Sequence, residues 1–427
     1  MKTHCFPALD RSLLVTALLF TGFATTAKSA VNSWTGTTGN WSDNTWSDGS
    51  PPDAQDASAA ITVAGAMVDL GGTSRTVGSL QIGNATTVTL SSSSGGSLIF
   101  NSSVGNATLT MATVNGSNTI SAPVTLTSSL DVTVGATTST RILILSGKTS
   151  GSGAITIKNS VGKLQLNNSA NDFSGGVTIE SGGTLSVVAG GSYLGTGSLT
   201  LNTGAGIQTA AAGTVNVGSQ IWAGNFTTST TSGSLNLGTS AVNLNGGTRT
   251  VTLSTNTSNR NTTVGGVISN GGLAISNTGT ANSSLILTGA NTYAGGSTVN
   301  SGTLATSTTG TFGTGGVTVA TGAFLTAGNA ASFADQASLT FSSTSTASSI
   351  NLSFTGSDTI GAVYDSISAT YLAAGTYTSS QLNTFFSSSV FAGTGSLTIS
   401  AVPEPSTYAV IFGALALGAT VIRRRRG

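Results

Sequence analysis

Two segments of the chain share one frame, and this repetition limits the fold more than any other feature of the sequence. Residues 164–185 and residues 285–304 both read L-x-L, then N-x-(F/Y)-(S/A)-G-G-x-T-(I/V)-x-S-G, and then T-L. A short unit, Gly-Thr-Gly-x-apolar-Thr-apolar, occurs at 195–201, 313–319 and 393–399. A strand–turn unit of this size cannot bury its apolar residues alone, whereas stacked units bury them against one another. The repetition therefore predicts a solenoid.

Strand-like segments recur along the rest of the chain. Most alternate polar and apolar residues, which places one side of each strand in a core, and Gly, Asn and Ser clusters between them predict turns. These segments are 87–90, 97–100, 141–145, 154–157, 163–166, 198–201, 214–217, 234–237, 250–253, 284–287 and 316–319. Sandwiches and barrels also contain many short strands, but copied blocks favour stacking. We expect an all-β, right-handed parallel β-helix (a β-solenoid) with roughly 20–25 residues per coil and a length of roughly 70–90 Å.

Composition agrees with this fold class and excludes several chemistries. Charged residues make up 6% of the chain, against about 25% in an average soluble domain, and helix-forming long side chains are scarce. His4 and Cys5 are the single histidine and the single cysteine, and both precede the first apolar run. Once a leader is removed, cysteine nucleophiles, Ser-His-Asp triads, His or Cys zinc sites and disulfides are all excluded.

The body of the chain carries few charges. Between Val31 and Val402 there are seven Lys or Arg against eleven Asp or Glu, a net charge of −4. This balance provides neither a basic patch for nucleic acid nor a charge run for anionic lipid. We therefore expect no nucleic-acid partner.

The N-terminus has the layout of a secretory signal peptide. Lys2 and Arg11 precede an apolar run at 12–24, and small residues at Ala27 and Ser29 fit a cleavage site. A short transmembrane anchor or a buried helix is the alternative, but the run is short for a bilayer. We expect residues 1–29 to be a signal peptide used by the Sec export machinery.

The C-terminus has three parts in a fixed order. Pro403, Glu404 and Pro405 are followed by an apolar segment at 406–422 and then by four arginines. The prolines favour extended backbone, and the apolar segment is near the lower length limit of a membrane-spanning helix. Basic residues stay on the cytoplasmic side, so Arg423, Arg424, Arg425 and Arg426 are predicted to fix the topology.

This tail, residues 402–427, resembles the PEP-CTERM sorting signal. The resemblance implies recognition of Pro403, Glu404 and Pro405 by a membrane-embedded exosortase-type processing enzyme, with processing near these residues. It also implies display at the cell surface and an association with exopolysaccharide and biofilm matrix. A plain single-pass tail anchor is the alternative. A lipid-anchor signal fits less well, because such tails end in apolar residues.

The large repeat resembles the autotransporter-associated β-strand repeat of passenger domains. The matching residues are Asn171, Phe173, Gly175, Gly176, Thr178, Gly182, Thr184 and Leu185 in the first copy, and Asn291, Tyr293, Gly295, Gly296, Thr298, Gly302, Thr303 and Leu304 in the second. The resemblance implies a β-helical passenger at the cell surface. An autotransporter also needs amphipathic outer-membrane strands, which this sequence does not offer, so we expect the sorting tail to replace that step.

The chain is expected to have an aromatic cap region at 30–75 and a solenoid at 76–401. Trp34, Trp41 and Trp46 are predicted to cover the open N-terminal end of the solenoid, since bulky apolar side chains suit that role. Sugar stacking by these three residues is the alternative. Residues 378–386 form the single plausible helix of the body, with a Ser/Thr cap.

An enzyme is the main alternative, because parallel β-helices can carry paired carboxylates. Asp172 and Glu180 flank a Gly-Gly turn, but the second copy has Thr292 and Asn300 at these positions, which favours a structural role. The acidic group, which lacks the spacing of a calcium-binding loop, comprises Asp43, Asp48, Asp53 and Asp56. We expect no catalytic residue, cofactor or metal. The sequence thus predicts an exported structural or adhesin-like protein, with a carbohydrate-active or carbohydrate-binding β-helix as the alternative.

Overall fold

The computed structural model describes residues 30–400, apart from 84–85, 115, 256–259 and 281. These residues form short strands and one helix. The predicted signal peptide, the Pro-Glu-Pro segment, the apolar segment at 406–422 and the arginine cluster lie outside them. No helix within the described part of the chain is long and apolar enough to cross a bilayer.

The strands are given in chain order. The first are β1 Val31–Ser33, β2 Thr38–Asn40, β3 Ser58–Ile61, β4 Met67–Asp69, β5 Arg75–Val77, β6 Ser79–Ile82, β7 Thr89–Ser91, β8 Leu98–Phe100, β9 Ala107–Val114, β10 Asn118–Ile120, β11 Val124–Leu126, β12 Leu130–Ala136, β13 Ile142–Leu145 and β14 Thr149–Gly151. The next are β15 Ile155–Ile157, β16 Lys163–Leu166, β17 Val177–Ile179, β18 Thr184–Val187, β19 Ser192–Tyr193, β20 Ser198–Leu201, β21 Ala205–Thr209, β22 Gly213–Asn216, β23 Ser219–Trp222, β24 Phe226–Thr230, β25 Leu235–Asn236, β26 Val242–Asn243, β27 Thr248–Thr255, β28 Thr262–Val264, β29 Ile268–Ser269 and β30 Gly272–Asn277. The last elements are β31 Ser284–Leu287, β32 Ser297–Val299, β33 Thr303–Thr306, β34 Val317–Val319, β35 Phe324–Ala327, β36 Ser338–Phe341, β37 Ile350–Leu352, β38 Ser357–Ile360, β39 Ala362–Asp365, β40 Thr370–Tyr371, β41 Gly375–Thr378, α1 Ser379–Phe385, β42 Phe391–Gly393 and β43 Ser396–Ile399.

The strands stack into a parallel β-solenoid of about 14 turns. Most strands pair with strands one coil before and one coil after them, so that three faces run along the molecule, and β38, β43 and β41 form a further small sheet near the C-terminal end. Face 1 carries β1-β3-β6-β9-β12-β15-β17-β20-β23-β26-β29, and face 2 carries β2-β4-β7-β10-β13-β16-β18-β21-β24-β27-β30-β32-β34-β36-β39-β40. Face 3 carries β5-β8-β11-β14 and then β19-β22-β25-β28-β31-β33-β35-β37-β42. The predicted all-β solenoid is confirmed.

The core follows from strict alternation within these strands. In β12 every second side chain from Leu130 to Ala136 is buried. Parallel register places the buried residue of one coil directly over its counterpart in the next: Ile155 pairs with Val177, and Val177 with Leu199. Stacked aliphatic rows of this kind bury apolar area along the whole axis, which is the dominant stabilising contribution in such a fold.

The sheets begin at Val31 and continue through residue 75, where β5 begins. The region predicted as the aromatic cap also contributes strands to the solenoid, with β1 paired to β3 and β2 to β4. The aromatic residues of this region lie at its end, as described below.

The C-terminal end is closed by antiparallel strands and a helix. Among the described strands, β40 pairs antiparallel with β39, and β41 with β43. Face 2 ends in β40, which is only two residues long, and such a short edge strand offers little backbone for another chain to pair with. The predicted helix is α1, whose N-cap Thr378 forms a capping box with Gln381, and Phe386 and Phe391 pack on Phe341 at the end of the core.

Candidate functional site

Pro403, Glu404 and Pro405, predicted for sorting, and the arginines at 423–426, predicted to fix the topology, lie outside the described residues. Their predicted roles therefore remain predictions. The remaining candidates all fall within the solenoid.

The three N-terminal tryptophans form one cluster that is closed to solvent. Trp34, Trp41 and Trp46 are 1%, 0% and 3% exposed. The ring centroids of Trp34 and Trp46 are 5.4 Å apart, and those of Trp41 and Trp46 are 4.7 Å apart. The indole of Trp41 donates to the carbonyl of Pro52, and that of Trp46 to the carbonyl of Trp41. These rings cover the first coil of the core, and sugar stacking by them would require the cluster to open.

The four acidic residues near the N-terminus each make a local contact, which for Asp48 is a hydrogen bond accepted from the hydroxyl of Ser47 at 3.2 Å. The carboxylate of Asp43 accepts from the backbone N–H of Asn40 at 2.7 Å, and that of Asp53 pairs with Arg75 at 2.9 Å. The hydroxyl and backbone N–H of Ser103 donate to Asp56, and the pKa of Asp56 is lowered by these hydrogen bonds. Within the described residues, no group of three or more His, Cys, Asp or Glu side chains is arranged to hold a metal.

Asp172 and Glu180 are each paired with a different lysine one coil earlier. The carboxylate of Asp172 lies 2.6 Å from the amine of Lys148, and that of Glu180 lies 3.0 Å from the amine of Lys158. Lys158 also lies 3.4 Å from Asp131. These contacts tie successive coils together.

A tyrosine pair that the sequence pattern did not predict lies at the C-terminal end of face 2, with Tyr364 half-buried and Tyr371 exposed. The rings of Tyr364 and Tyr371 are 4.5 Å apart between centroids and tilted by 35°. Tyr371 is 65% exposed. The buried Val363 and Asp365 on either side of Tyr364 show that its side chain points outward. The alternation around Tyr364 could have indicated this orientation, but the antiparallel partner could not be read from the pattern.

The tyrosine pair ends a straight column of outward side chains. Strand register joins Thr298 to Thr318, Thr318 to Thr340, Thr340 to Tyr364 and Tyr364 to Tyr371. We call these five residues the tyrosine strip. Adjacent strands lie about 4.8 Å apart, so the strip presents one side chain at each step of the solenoid axis.

The turn that carries the tyrosine pair is held by the buried carboxylate of Asp365. This carboxylate accepts hydrogen bonds from Ser343, Ile367 and Ser368, at 2.6–3.2 Å. Burial opposes ionisation of Asp365, but these hydrogen bonds outweigh that effect and lower its pKa. Leu372, which follows Tyr371, is buried and anchors β40 to the core. The aromatic pair is thus fixed on the surface by its neighbours.

A shallow groove joins the other end of the strip. It follows the corner between faces 1 and 2, in two connected parts of about 380 Å³ and 250 Å³. Its lining residues are Gly246, Gly247, Thr248, Asn270, Gly271, Gly272, Thr292, Ala294, Gly295, Gly296, Ser297, Thr298, Gly316 and Thr318. The groove exists because glycine and alanine occupy successive corners, and Thr298 and Thr318 belong to both the groove and the tyrosine strip.

The repeated asparagine links three coils in each copy of the large repeat. The side-chain oxygen of Asn171 accepts from the backbone N–H of Thr149 at 2.7 Å, and its amide donates to the carbonyl of Tyr193 at 3.0 Å. Asn291 does the same in the second copy, where it accepts from Ile268 at 2.8 Å and donates to Thr311 at 2.7 Å. Both asparagines are buried. At a point where the sheet is interrupted, the side chain of each asparagine makes the hydrogen bonds that a strand would otherwise make.

The two copies occupy different faces. The first interrupts face 3 between β14 and β19, where the backbone N–H of Asp172 donates to Thr149. The second interrupts face 1 after β29, where the N–H of Thr292 donates to Ile268. The second copy is therefore displaced around the axis by one face. The repeat unit spans one coil in each copy, so it can begin on more than one face of the solenoid.

The repeated aromatic residue fills the space behind the asparagine. Phe173 and Tyr293 are both fully buried. One coil later, Gly195 packs against Phe173 and Gly313 packs against Tyr293, with φ of +74° and +81°. A side chain at either glycine would meet the backbone or the ring of the preceding aromatic residue. In each copy the asparagine thus links three coils by hydrogen bonds, the aromatic residue fills the core behind it, and a glycine one coil later lets the next coil pack closely.

Residues 157–187 and 282–305 match the sequence profile of the passenger-associated transport repeat. These two segments are passenger-type repeats. They contain the asparagine bridges, the buried aromatic residues and the flanking strands described above, which confirms the autotransporter-associated repeats expected from the sequence. No curated protein and no solved structure matched the chain.

The two passenger-associated repeats differ at a pair of buried positions, and this difference leads to a prediction about the free energy of unfolding. Tyr293 and Ser297 in the second repeat stand where the first has Phe173 and Val177. The hydroxyl groups of Tyr293 and Ser297 are 2.6 Å apart, and that of Ser297 also donates to the carbonyl of Phe312. Burial raises the pKa of Tyr293, so this hydroxyl stays protonated.

Ser297→Val is expected to lower the free energy of unfolding by about 1–3 kcal/mol, because the buried Tyr293 hydroxyl loses its partner. The double variant Tyr293→Phe/Ser297→Val copies the first repeat and is expected to recover most of that loss. Urea denaturation of the wild type, both single variants and the double variant gives the coupling energy. Equal destabilisation of Ser297→Val and the double variant would contradict the pairing.

Proposed function

We propose that this chain is an exported β-solenoid displayed at the cell surface, with a structural or adhesin-like role in the cell envelope or extracellular matrix. The observation that supports this most is the presence of two passenger-associated repeats in one continuous solenoid. The repeat family suggests an exported surface protein. A long rod with few charged residues suits a role as a spacer or scaffold better than a role in catalysis.

The proposal includes the route to the surface. The Sec machinery exports the chain through the signal peptide at 1–29, and the tail at 402–427 holds it in the membrane until an exosortase-type enzyme acts near Pro403, Glu404 and Pro405. Arg423 to Arg426 keep the end of the chain on the cytoplasmic side. The coil is proposed to be right-handed, as parallel crossover connections are.

The route is tested by replacing Pro403, Glu404 and Pro405 together with alanine. The expected result is retention of the protein in the membrane fraction and loss of surface display, measured by antibody labelling of intact cells. Replacing the adjacent Ser406 and Thr407 with alanine is the matched control and should leave display unchanged. Normal display of the first variant would overturn the sorting proposal.

A further inference from the structure

We propose that the tyrosine strip and the groove beside it bind a linear, uncharged polysaccharide that lies along the solenoid axis. This proposal adds a binding partner to the proposed display at the cell surface, and it rests on that proposed function only for the place where the polysaccharide is met. It names the chemical class of the partner and the face that holds it.

The tyrosine pair offers a surface on which a sugar ring can stack. A tyrosine ring offers a flat apolar face and a polar edge, and it loses little conformational entropy on binding because it has few rotatable bonds. Tyr371 is 65% exposed and packs against Tyr364 with the two rings tilted by 35°, while the hydrogen bonds to Asp365 hold the turn. The platform is therefore formed before any ligand arrives. The apolar C–H face of a sugar ring is a chemical match for such a surface.

The column of threonines next to the tyrosine pair offers hydroxyl groups that repeat along the solenoid axis. Thr298, Thr318 and Thr340 are intermediate or exposed, and each can both donate and accept a hydrogen bond. They continue in line from the tyrosine pair, one strand at a time. A polymer of sugar rings repeats hydroxyl groups along its length. A surface that repeats hydroxyl groups along its own axis can therefore contact several rings at once.

The charge of this half of the molecule restricts the chemistry of the ligand. Residues 261–400 contain no lysine or arginine, and their acidic residues are Asp335, Asp358 and Asp365. Asp358 and Asp365 are 1% and 0% exposed. Anionic polymers, nucleic acids and anionic membranes need positive charge to bind. Arg249 lies beside Gly247 at the far end of the groove, where its guanidinium donates to the carbonyls of Leu244 and Asn245. The strip itself carries no charge, so the ligand that fits it is neutral.

The groove extends the surface beyond the column. Its walls carry glycine, alanine, threonine and asparagine, so a chain can approach the backbone closely at Gly295 and Gly296. Thr298 and Thr318 connect the groove with the strip. Together they form a track along the axis rather than a closed pocket, which suits a polymer better than a small molecule.

The experiment measures binding of the full-length protein, purified in detergent, to amylose, a linear β-1,3-glucan and a linear mannan, with alginate as an anionic comparator. Affinity electrophoresis is expected to detect at least one neutral polymer and no alginate. Tyr371→Ala is expected to weaken that binding by about tenfold or more, and Tyr371→Phe by less than about threefold, because stacking depends on the ring. Raising the salt concentration is expected to change binding little.

Tyr193→Ala is the matched control, since Tyr193 is an exposed tyrosine on face 3. It should bind like the wild type. Circular dichroism and thermal melting of both alanine variants establish that each is folded. Failure to bind any of the neutral polymers, equal binding by Tyr371→Ala, or a preference for alginate would overturn the proposal. Self-association that Tyr371→Ala abolishes, without polymer binding, would assign the strip to a second copy of the chain instead.

These results are distinguishable from a failure of the proposed function. Binding is measured on purified protein and does not depend on sorting. The Tyr371→Ala variant is expected to reach the cell surface normally, whereas the Pro403–Pro405 variant is expected to bind polysaccharide normally. Loss of both properties in one variant would indicate misfolding, which the melting curve reports.

Discussion

Gly313→Ala is expected to lower the free energy of unfolding by about 3–5 kcal/mol. A Cβ at this position would lie 2.7 Å from a ring carbon of Tyr293 in the coil before. The backbone N–H of Thr314 donates to the carbonyl of Tyr293 at 2.9 Å, so the two coils cannot separate without losing this bond. The backbone at Gly313 also has φ of +81°, which disfavours any L side chain.

Gly322→Ala separates the two contributions. Gly322 has φ of +82°, but nothing lies within 4 Å of a Cβ built there. Its replacement is expected to cost only the backbone term, about 1–2 kcal/mol. Urea denaturation followed by circular dichroism measures both variants. Equal losses at Gly313 and Gly322 would contradict the close packing of successive coils.

Asn291→Ala is expected to lower the free energy of unfolding by about 2–4 kcal/mol. The substitution removes both side-chain hydrogen bonds that join three coils, and it leaves the backbone N–H of the buried Ile268 without its acceptor. An unpaired buried donor costs more than the average hydrogen bond contributes, because its desolvation is not compensated.

Asn300→Ala is the control for the asparagine bridge. Asn300 is exposed, and its amide makes one long contact of 3.4 Å to Ser276. Its replacement is expected to change stability by no more than about 0.5 kcal/mol. The same denaturation measurement compares the two variants. If Asn291→Ala were as mild as Asn300→Ala, the bridge would not be a stabilising element of the repeat.

The class of fold could be predicted because local alternation and long-range repetition agree. Segments 163–166, 198–201 and 284–287 coincide with β16, β20 and β31. Alternation fixes which side of a strand is buried, and repetition implies that successive strands stack in parallel. Both signals act through burial of aliphatic residues, and both are visible in a single sequence.

The placement of the repeats around the axis could not be predicted in the same way. The number of residues between paired strands varies along the solenoid: Ile155 pairs with Val177, whereas Val242 pairs with Ile268. Loop length at the corners sets this number, and corner loops carry no apolar signal. The displacement of the second repeat by one face therefore appears only in the strand register.

The sequence pattern also could not predict which aromatic residues are buried and which are exposed at the surface. Trp34, Trp41 and Trp46 were plausible as a cap or as a sugar platform, since clustering alone does not decide whether aromatic rings pack together or face solvent. The structure packs them together. The position of Tyr371 beside Tyr364 could not be predicted, because Tyr371 lies in a weakly patterned turn region and meets Tyr364 only through an antiparallel pairing.

Solution scattering from the purified protein, combined with circular dichroism, tests the stacking of coils most directly. A solenoid of about 14 turns with strands about 4.8 Å apart is roughly 65–75 Å long before its end caps are added. The account predicts an asymmetric distribution of interatomic distances with a tail to roughly 70–90 Å, and a spectrum dominated by β-structure. A symmetric distribution typical of a compact sphere, or a strong helical signal, would contradict it.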